Sequence, residues 1–325
     1  MTSDPAAFAV RQLTVDTESD GQRLDNYLMR CLKGVPKSHV YRIIRSGEVR
    51  LNKGRAAAAS RVAAGDLVRV PPLRQSLRTE QTTAAVPPRE FDILLEDEQL
   101  LAIHKPAGLA VHGGSGLSFG VIEQLRHARP QAPFLELVHR LDKETSGVLL
   151  LAKKRSALNA VQEQFRARDT GKLYDALVFG HWPPSLKVID LALHKGLDAV
   201  GERHVRVVSA DHADGRRAIS LVRVAQTAGP ATLLEVNLKT GRTHQIRVHL
   251  AHHGHPIVGD PKYGDFAQNK ALAKAQGFGR MFLHARELSF EHPATAQRIQ
   301  LVAPLPVPCR ELLQQLAGSR PAANR

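Results

Sequence analysis

The sequence predicts an α+β protein with two domains, and three observations support this fold class. At 325 residues the chain exceeds the usual size of a single domain. A basic stretch at 19–72 is separated from the rest by residues 73–90, which contain proline and lack apolar periodicity. Beyond them, β-rich segments such as 148–151 and 232–236 do not alternate regularly with helical ones such as 157–168. We therefore expect a mixed or antiparallel sheet flanked by helices and not a doubly wound fold.

The first domain, at 19–72, should consist of two short helices and a β-turn element. Residues 1–18 are polar and aperiodic, so we expect a loose tail there. A leucine at every fourth position from 24 to 32 predicts the first helix. A second helix is expected to start at Lys37 and to end near residue 46, followed by a turn near residue 53 and a strand at 66–70.

Much of the positive charge lies in this first domain. Residues 21–70 contain eleven Lys or Arg against three Asp or Glu, a net of +8 in a chain whose total is +14. A cluster of this kind is typical of a surface that binds a phosphate-rich partner, and nucleic acid is the leading class. The alternative is that these cations lie on the solvent-exposed faces of short helices and bind no partner.

Several other classes of protein are disfavoured. No apolar run approaches the roughly eighteen residues of a membrane span, and we expect a cytoplasmic protein. Cys31 and Cys309 have neither disulfide-rich nor zinc-binding spacing. His249 and His253 have the helical spacing of zinc ligands, but the glutamate of the zinc motif is absent and Gly254 follows, so we expect no metal site.

The run from His139 to Gly147 is the strongest candidate for a catalytic segment. It places the Asp142 carboxylate between Arg140 and Lys143 and follows it with hydroxyl residues and a glycine. A carboxylate flanked by cations stays ionised and can act as a nucleophile. If this segment is a strand, Arg140 and Asp142 share one face of it. The alternative is a charged turn between two apolar strands.

Three further segments of the second domain, 104–108, 172–178 and 240–247, are also rich in polar groups. In order and content the four segments resemble the pseudouridine synthases of the RluA family, and nearly all of 91–310 takes part in the resemblance. The basic helices and turn in front of them resemble the S4 RNA-binding module, an arrangement similar to the C-type branch of that family. The resemblance implies a pseudouridine synthase domain at 91–316, with a short tail at 317–325.

The resemblance also implies a reaction. Uridines of 23S ribosomal RNA, free or in large-subunit assembly intermediates, would be isomerised to pseudouridine. The bond from uracil N1 to ribose C1′ is broken, and the base is rejoined through C5. Nothing is oxidised or consumed, so we expect no cofactor and no metal. No membrane and no obligate protein partner are implied.

The family's catalytic roles fall on three residues of this sequence. Asp142 would be the nucleophile, attacking C1′ or C6. Arg247 would be its counter-ion, with a bidentate guanidinium that orients the carboxylate. Tyr174 would be the platform on which the displaced uracil stacks, and a relay for the C5 proton.

Other roles concern the RNA. Arg140 would support flipping of the target uridine out of its stack. Lys105, Arg242 and His244 would contact phosphates or the base edge, and Leu288 would form an apolar wall behind the base. The RNA-binding residues implied in the S4-like domain are Arg23, Lys37, Ser38, Arg42, Arg45, Arg50 and Lys53.

Three alternatives remain at this point. The same chemistry could serve another RNA, as in the D-type ribosomal synthases or tRNA-modifying relatives, because the motifs describe the uridine pocket and not the RNA around it. The chain could instead be a non-catalytic RNA-binding protein of ribosome assembly, although such a protein has no use for an attacking carboxylate. A nucleoside hydrolase would also use an aspartate near C1′ but would release free uracil.

Overall fold

The computed structural model of the chain describes residues 10–32, 35–73, 86–113, 119–197 and 203–318. The chain divides into two compact units between Ala85 and Val86. This division lies inside the stretch 73–90 expected as a linker, of which 74–85 fall outside the described residues. Each unit has an apolar core of its own.

The N-terminal unit combines two short helices with a three-stranded antiparallel sheet of order β1-β3-β2. Its elements are β1 (Arg11–Thr14), α1 (Leu24–Cys31), α2 (Lys37–Arg45), β2 (Arg50–Leu51) and β3 (Leu67–Val70). The leucine repeat buries Leu24, Leu28 and Leu32 against Val40 and Ile43 of α2. Burying each aliphatic side chain contributes about 2 kcal/mol of folding free energy. This contribution stabilises helices that are too short to persist alone. Both helices and the strand near 66–70 confirm the sequence prediction.

Strand β1 corrects the expectation of a loose tail over residues 1–18. Arg11–Thr14 pairs with β3 in a continuous register, from Arg11 opposite Val70 to Thr14 opposite Leu67. Because β1 is a largely exposed edge strand, it lacks the buried alternation from which strands are predicted. Residues 1–9 lie outside the described part of the chain.

The second unit is built on one large mixed sheet, which confirms the predicted fold class. The strands follow the order β10-β9-β11-β12-β8-β13-β7-β5-β4, with β14 beside β13 and β6 beside β7. Strand β13 runs parallel to β7, whereas it is antiparallel to β8 and β14. The strands are β4 (Ile93–Glu96), β5 (Leu100–Lys105), β6 (Glu136–Leu137), β7 (Ser146–Ala152), β8 (Gly171–Phe179), β9 (Val188–Leu197), β10 (Arg203–Val208), β11 (Arg216–Ala228), β12 (Ala231–Leu238), β13 (Leu283–Glu291) and β14 (Arg298–Val302).

Helices cover both faces of this sheet around the buried strand β7. Val148 and Leu150 point to the face covered by α4, and Leu149 and Leu151 point to the face covered by α3. A strand covered on both faces has no polar side, which explains its uninterrupted apolar sequence. The helices are α3 (Val121–Ala128), α4 (Arg155–Ala167), α5 (Gln245–His252), α6 (Phe266–Gln276) and α7 (Val307–Gly318).

Helix α7 extends past the expected end of the domain at residue 316. Ala317 and Gly318, assigned from sequence to the tail 317–325, belong to the helix, and 319–325 lie outside the described residues. In the described part of the chain, none of the helices has the length and apolar character needed to cross a membrane.

Candidate active site

Asp142 lies in the loop between β6 and β7, beside a cavity of the second unit. Residues 140–142 have no regular secondary structure, and the Thr145 N–H donates to the Asp142 carbonyl at 3.1 Å, closing a turn. The expectation that Arg140 and Asp142 share one face of a strand is therefore wrong. Both side chains nevertheless line the same cavity, Arg140 exposed and Asp142 with 20% of its side chain accessible.

Both ends of this loop are fixed to the sheet. Before Asp142, the Nε2 atom of His139 accepts a hydrogen bond from the Leu150 N–H at 3.1 Å, and its ring stacks on Phe165. After the loop, Gly147 has φ +121° and lies against β13. A Cβ at this position would stand 2.1 Å from the Ala285 carbonyl oxygen, so only glycine permits this approach of the two strands.

Lys105 binds the backbone of the same loop at Lys143, and its side chain does not line the cavity. Its side chain is fully buried, and Nζ donates to the carbonyls of Pro106, Leu109 and Lys143 at 2.8, 2.7 and 3.1 Å. Burial lowers the pKa of Lys105 to about 7, and nearby carboxylates oppose that shift. The expected contact of Lys105 with a phosphate or base edge is corrected, because all three Nζ donors are directed at the backbone.

Arg247, in the first turn of α5, connects Asp142 to a second carboxylate. Its Nη1 donates to Oδ2 of Asp142 at 3.2 Å, while Nε and Nη2 donate to the two oxygens of Asp260 at 2.8 Å each. The side chains of Arg247 and Asp260 are 6% and 1% exposed. The bidentate pairing expected with Asp142 is thus made with Asp260, and Asp142 receives a single hydrogen bond.

This arrangement keeps a buried cation facing Asp142. Burial disfavours both charges, but the hydrogen bonds and charge of Asp260 raise the pKa of Arg247. The same bonds outweigh the burial of Asp260 and lower its pKa, with support from the N–H groups of Lys262 and Tyr263. Arg247 donates to Oδ2 of Asp142, and within the described residues no hydrogen bond is made to Oδ1.

Tyr174 and four apolar side chains form the other walls of the cavity. Tyr174 lies on β8, where it pairs with Val236 of β12 and Ala285 of β13. Burial, and then the charge of Asp142, raise the pKa of the Tyr174 hydroxyl, which therefore remains a neutral phenol. A neutral aromatic ring between apolar side chains suits a planar base. The apolar residues are Leu141, Leu238, Ile246 and Leu283.

Leu288 does not belong to these walls. It is buried with Leu150 and Phe290 in the core between the sheet and α4. Leu283, five residues earlier on β13 and about 16 Å away along an extended strand, takes the expected place beside the cavity. The prediction for Leu288 is corrected accordingly.

His244 and Arg242 complete the cavity from the segment before α5. The Nε2 atom of His244 lies 3.9 Å from Oδ2 of Asp142, and its Nδ1 lies 2.8 Å from the Tyr263 hydroxyl. Arg242 is exposed, and its Nε donates to the Arg217 carbonyl at 3.3 Å. Both therefore face the space in which a substrate would bind.

The cavity measures about 130 Å³. Six of the residues predicted for substrate and catalysis line it, namely Arg140, Asp142, Tyr174, Arg242, His244 and Arg247. Sequence reasoning missed Asp260 and Tyr263, which contact Arg247 and His244. Their only signal is the turn 259–264, in which an acid and an aromatic residue stand between two glycines.

In the N-terminal unit, the residues predicted to bind RNA lie mainly on the surface. Arg23 is partly engaged by Asp25 at 2.6 Å, and Arg50 is half-buried. Tyr41 and Arg55, which we did not predict, line a surface groove with Arg45. The exposed predicted residues are Arg23, Lys37, Ser38, Arg42, Arg45 and Lys53.

Over the same described ranges, no three His, Cys, Asp or Glu residues are arranged to hold a metal ion. His249, from the pair with zinc-like spacing, is buried and hydrogen-bonds to Ser220 through Nδ1 at 3.0 Å.

The family model described as RNA pseudouridylate synthase matches residues 99–252, the part that carries Asp142, Tyr174 and Arg247. The S4 domain model matches residues 22–68. A human protein of known structure, RNA Pseudouridylate Synthase Domain Containing 4, is 31% identical, with a TM-score of 0.57 over 69% of this chain and 92% of its own. The chain belongs to the RNA pseudouridylate synthase family, as the sequence predicted.

Its curated relatives define the branch of the family. The ribosomal large subunit pseudouridine synthase C of Yersinia pestis is 48% identical over 311 residues, which cover 94% of this chain and 96% of the relative. The protein of the same name from Escherichia coli strain K12 is 46% identical over 317 residues, or 96% and 98% of the two chains. The similarity therefore includes the S4 domain as well as the synthase domain.

Proposed function

We propose that this chain is a ribosomal RNA pseudouridine synthase that isomerises specific uridines of large-subunit (23S) ribosomal RNA. The observation that carries the proposal is the Asp142 carboxylate beside the cavity, hydrogen-bonded through Oδ2 to a buried Arg247 that Asp260 holds from behind. The names of the relatives, which cover nearly the whole chain, support large-subunit RNA as the substrate.

In this proposal Oδ1 of Asp142 is the nucleophile that holds one part of the nucleotide while the other rotates. The bond between N1 and C1′ breaks, the bond between C5 and C1′ forms, C5 loses a proton and N1 gains one. Arg247 pairs its charge with the carboxylate at 3.2 Å and fixes its orientation. Tyr174 supports the base and, as a neutral phenol, can exchange a proton with it. None of these steps requires a cofactor or a metal.

A uridine stacked in folded RNA must leave its stack to reach this cavity. Arg140 is exposed at the cavity wall, where its guanidinium can occupy the space that the flipped base vacates. Arg242 would contact the flanking phosphate or the base edge, whereas His244, with Nε2 3.9 Å from Oδ2 of Asp142, lies nearer to the carboxylate than was expected from the sequence. The S4 unit would add affinity through its cationic surface, with 23S RNA or a large-subunit assembly intermediate as partner and the cytoplasm as the place of action.

The test is to map pseudouridines in large-subunit ribosomal RNA that lacks them, after incubation with the wild-type chain or with Asp142→Asn. Carbodiimide adducts stop primer extension at each pseudouridine. Stops that depend on the wild-type chain would support the reaction and identify the sites. Binding without stops would overturn the ribosomal assignment, and the same assay on tRNA would then decide between another substrate and a non-catalytic role.

A further inference from the structure

Tyr263 lies behind the catalytic carboxylate in the turn 259–264 that follows α5. Gly259 has φ +75°, and a Cβ there would lie 1.9 Å from the Arg280 carbonyl oxygen, so the turn is pressed against the neighbouring backbone. The Tyr263 ring lies 5.0 Å from the guanidinium carbon of Arg247. The turn thus places the Tyr263 ring and hydroxyl next to the groups that face Asp142.

The hydrogen bonds of the Tyr263 hydroxyl determine the tautomer of His244. The backbone N–H of Val205 donates to the Tyr263 oxygen at 3.1 Å. Burial raises the pKa of Tyr263, so the phenolic proton is retained. Its acceptor within the described residues is Nδ1 of His244 at 2.8 Å, and a half-buried O–H needs such an acceptor. If Nδ1 accepts, a neutral His244 carries its proton on Nε2.

The backbone directs this Nε2–H toward Asp142. His244 has φ +53°, in the left-handed region that costs a non-glycine residue about 1 kcal/mol or more and is concentrated at functional sites. Nε2 lies 3.9 Å from Oδ2 of Asp142, the same oxygen that accepts from Nη1 of Arg247. The distance exceeds a hydrogen bond in the free protein, but it leaves room for no other group between the two atoms.

Burial, more than the surrounding charges, keeps His244 neutral. Burial is the main influence that lowers the pKa of His244, and Arg247 on α5 and Lys262 on the turn act in the same direction. Asp142 on its loop and Asp260 on the turn oppose this shift without reversing it. A neutral imidazole with a fixed tautomer is a hydrogen-bond donor at Nε2 and not a base.

We propose that Tyr263 is a positioning residue for the synthase reaction. It holds His244 as the Nε2–H tautomer, and this N–H closes on Oδ2 of Asp142 when a uridine fills the cavity. Arg247 and His244 then bind one oxygen of the carboxylate together, and Oδ1 is presented to the substrate. The inference rests on the proposed function, because it assigns a second donor to the same nucleophile.

The proposal is tested with the full-length chain in two measurements. Long-range ¹H–¹⁵N correlation spectra of histidine-labelled protein report which ring nitrogen is protonated, and His244→Ala assigns the signal. The wild-type spectrum should show protonated Nε2, and Tyr263→Phe, which keeps the ring over Arg247, should lose this preference. The single-turnover rate constant on large-subunit RNA should fall about tenfold in Tyr263→Phe, which corresponds to the free energy of about one hydrogen bond. The KM measured at steady state should change little.

A double-mutant cycle separates positioning from simple structural support. If Tyr263 acts through His244, the Tyr263→Phe change should cost nothing further in a His244→Ala background. Tyr27→Phe removes a hydroxyl from the N-terminal unit, where it donates to the Thr14 carbonyl at 3.4 Å, and should leave the rate unchanged. Equal losses in both backgrounds, or a protonated Nδ1 in the wild type, would overturn the proposal. A wild-type chain inactive on this RNA would contradict the proposed function instead, since the tautomer spectrum needs no activity.

Discussion

Asp260→Asn should destabilise the second unit, because it removes the charge that holds Arg247. The pair is buried, with side chains 6% and 1% exposed, and two hydrogen bonds of 2.8 Å join them. Removing one partner of a buried ion pair costs about 3–5 kcal/mol. Asparagine keeps the shape and one acceptor, and Asp142 still faces the guanidinium, so we expect the lower end, about 3 kcal/mol. Turnover should fall about a hundredfold as Arg247 loses its position.

Urea unfolding measures this effect in the relevant unit alone. The single tryptophan of the chain, Trp182, is buried in the second unit, so its fluorescence reports the unfolding of that unit. With a slope of about 3 kcal/mol per molar urea, the midpoint should fall by about 1 M. Asp190→Asn is the matched control, because Asp190 binds Arg217 in the same two-pronged way on the surface. Its shift should be no more than about a third as large. Equal shifts in the two variants would refute the reasoning.

Three further outcomes follow from the geometry. Burial lowers the pKa of Lys105 from 10.5 to about 7. Between these two pH values the folded chain binds fewer protons than the unfolded chain, so its free energy of unfolding rises with pH. Urea unfolding of Lys105→Met at pH 6 and pH 9 should show this rise abolished, and an unchanged rise would contradict the assignment. Arg140→Ala should lower the single-turnover rate about tenfold without changing the unfolding midpoint, and an unchanged rate would exclude a role in base flipping. A chain beginning at Val86 should bind RNA more weakly. The slope of its log binding constant against log salt concentration should be smaller by about one unit for each phosphate that the S4 unit neutralises. An identical slope would exclude the S4 unit from binding.

The sequence predicted the fold class, the family and the meeting of the main site residues. The sequence pattern around each of Asp142, Tyr174 and Arg247 is distinctive, although up to 73 residues separate one of them from the next. Helices α1 and α2 were also predictable, because their buried faces repeat at the helical period.

The failures have physical reasons. Asp260 and Tyr263 contact Arg247 and His244 and do not line the cavity, and the turn 259–264 that holds them is only a weak signal in the sequence. For Lys105, the resemblance of segment 104–108 implied a substrate contact, whereas its Nζ is buried among backbone carbonyls, a rare position for a lysine that local sequence does not reveal. For Leu288, the core and the cavity wall both select leucine, so only the three-dimensional register of β13 separates it from Leu283.

The loop at Arg140 and Asp142 illustrates a different difficulty. The two residues share a cavity, but through an irregular loop anchored by His139 and Gly147 and not through strand alternation. Strand β1 was missed for a related reason, because an exposed edge strand needs only backbone pairing.

Tritium release is the most direct test of the central claim that Asp142 is the nucleophile of an RNA pseudouridine synthase. Formation of a bond at C5 expels the proton there, so large-subunit RNA labelled at C5 of uridine should release tritium with the wild-type chain. Asp142→Asn, shown to be folded by Trp182 fluorescence and to bind the RNA, should release none above background. Release by this variant at a rate comparable with the wild type would contradict the account.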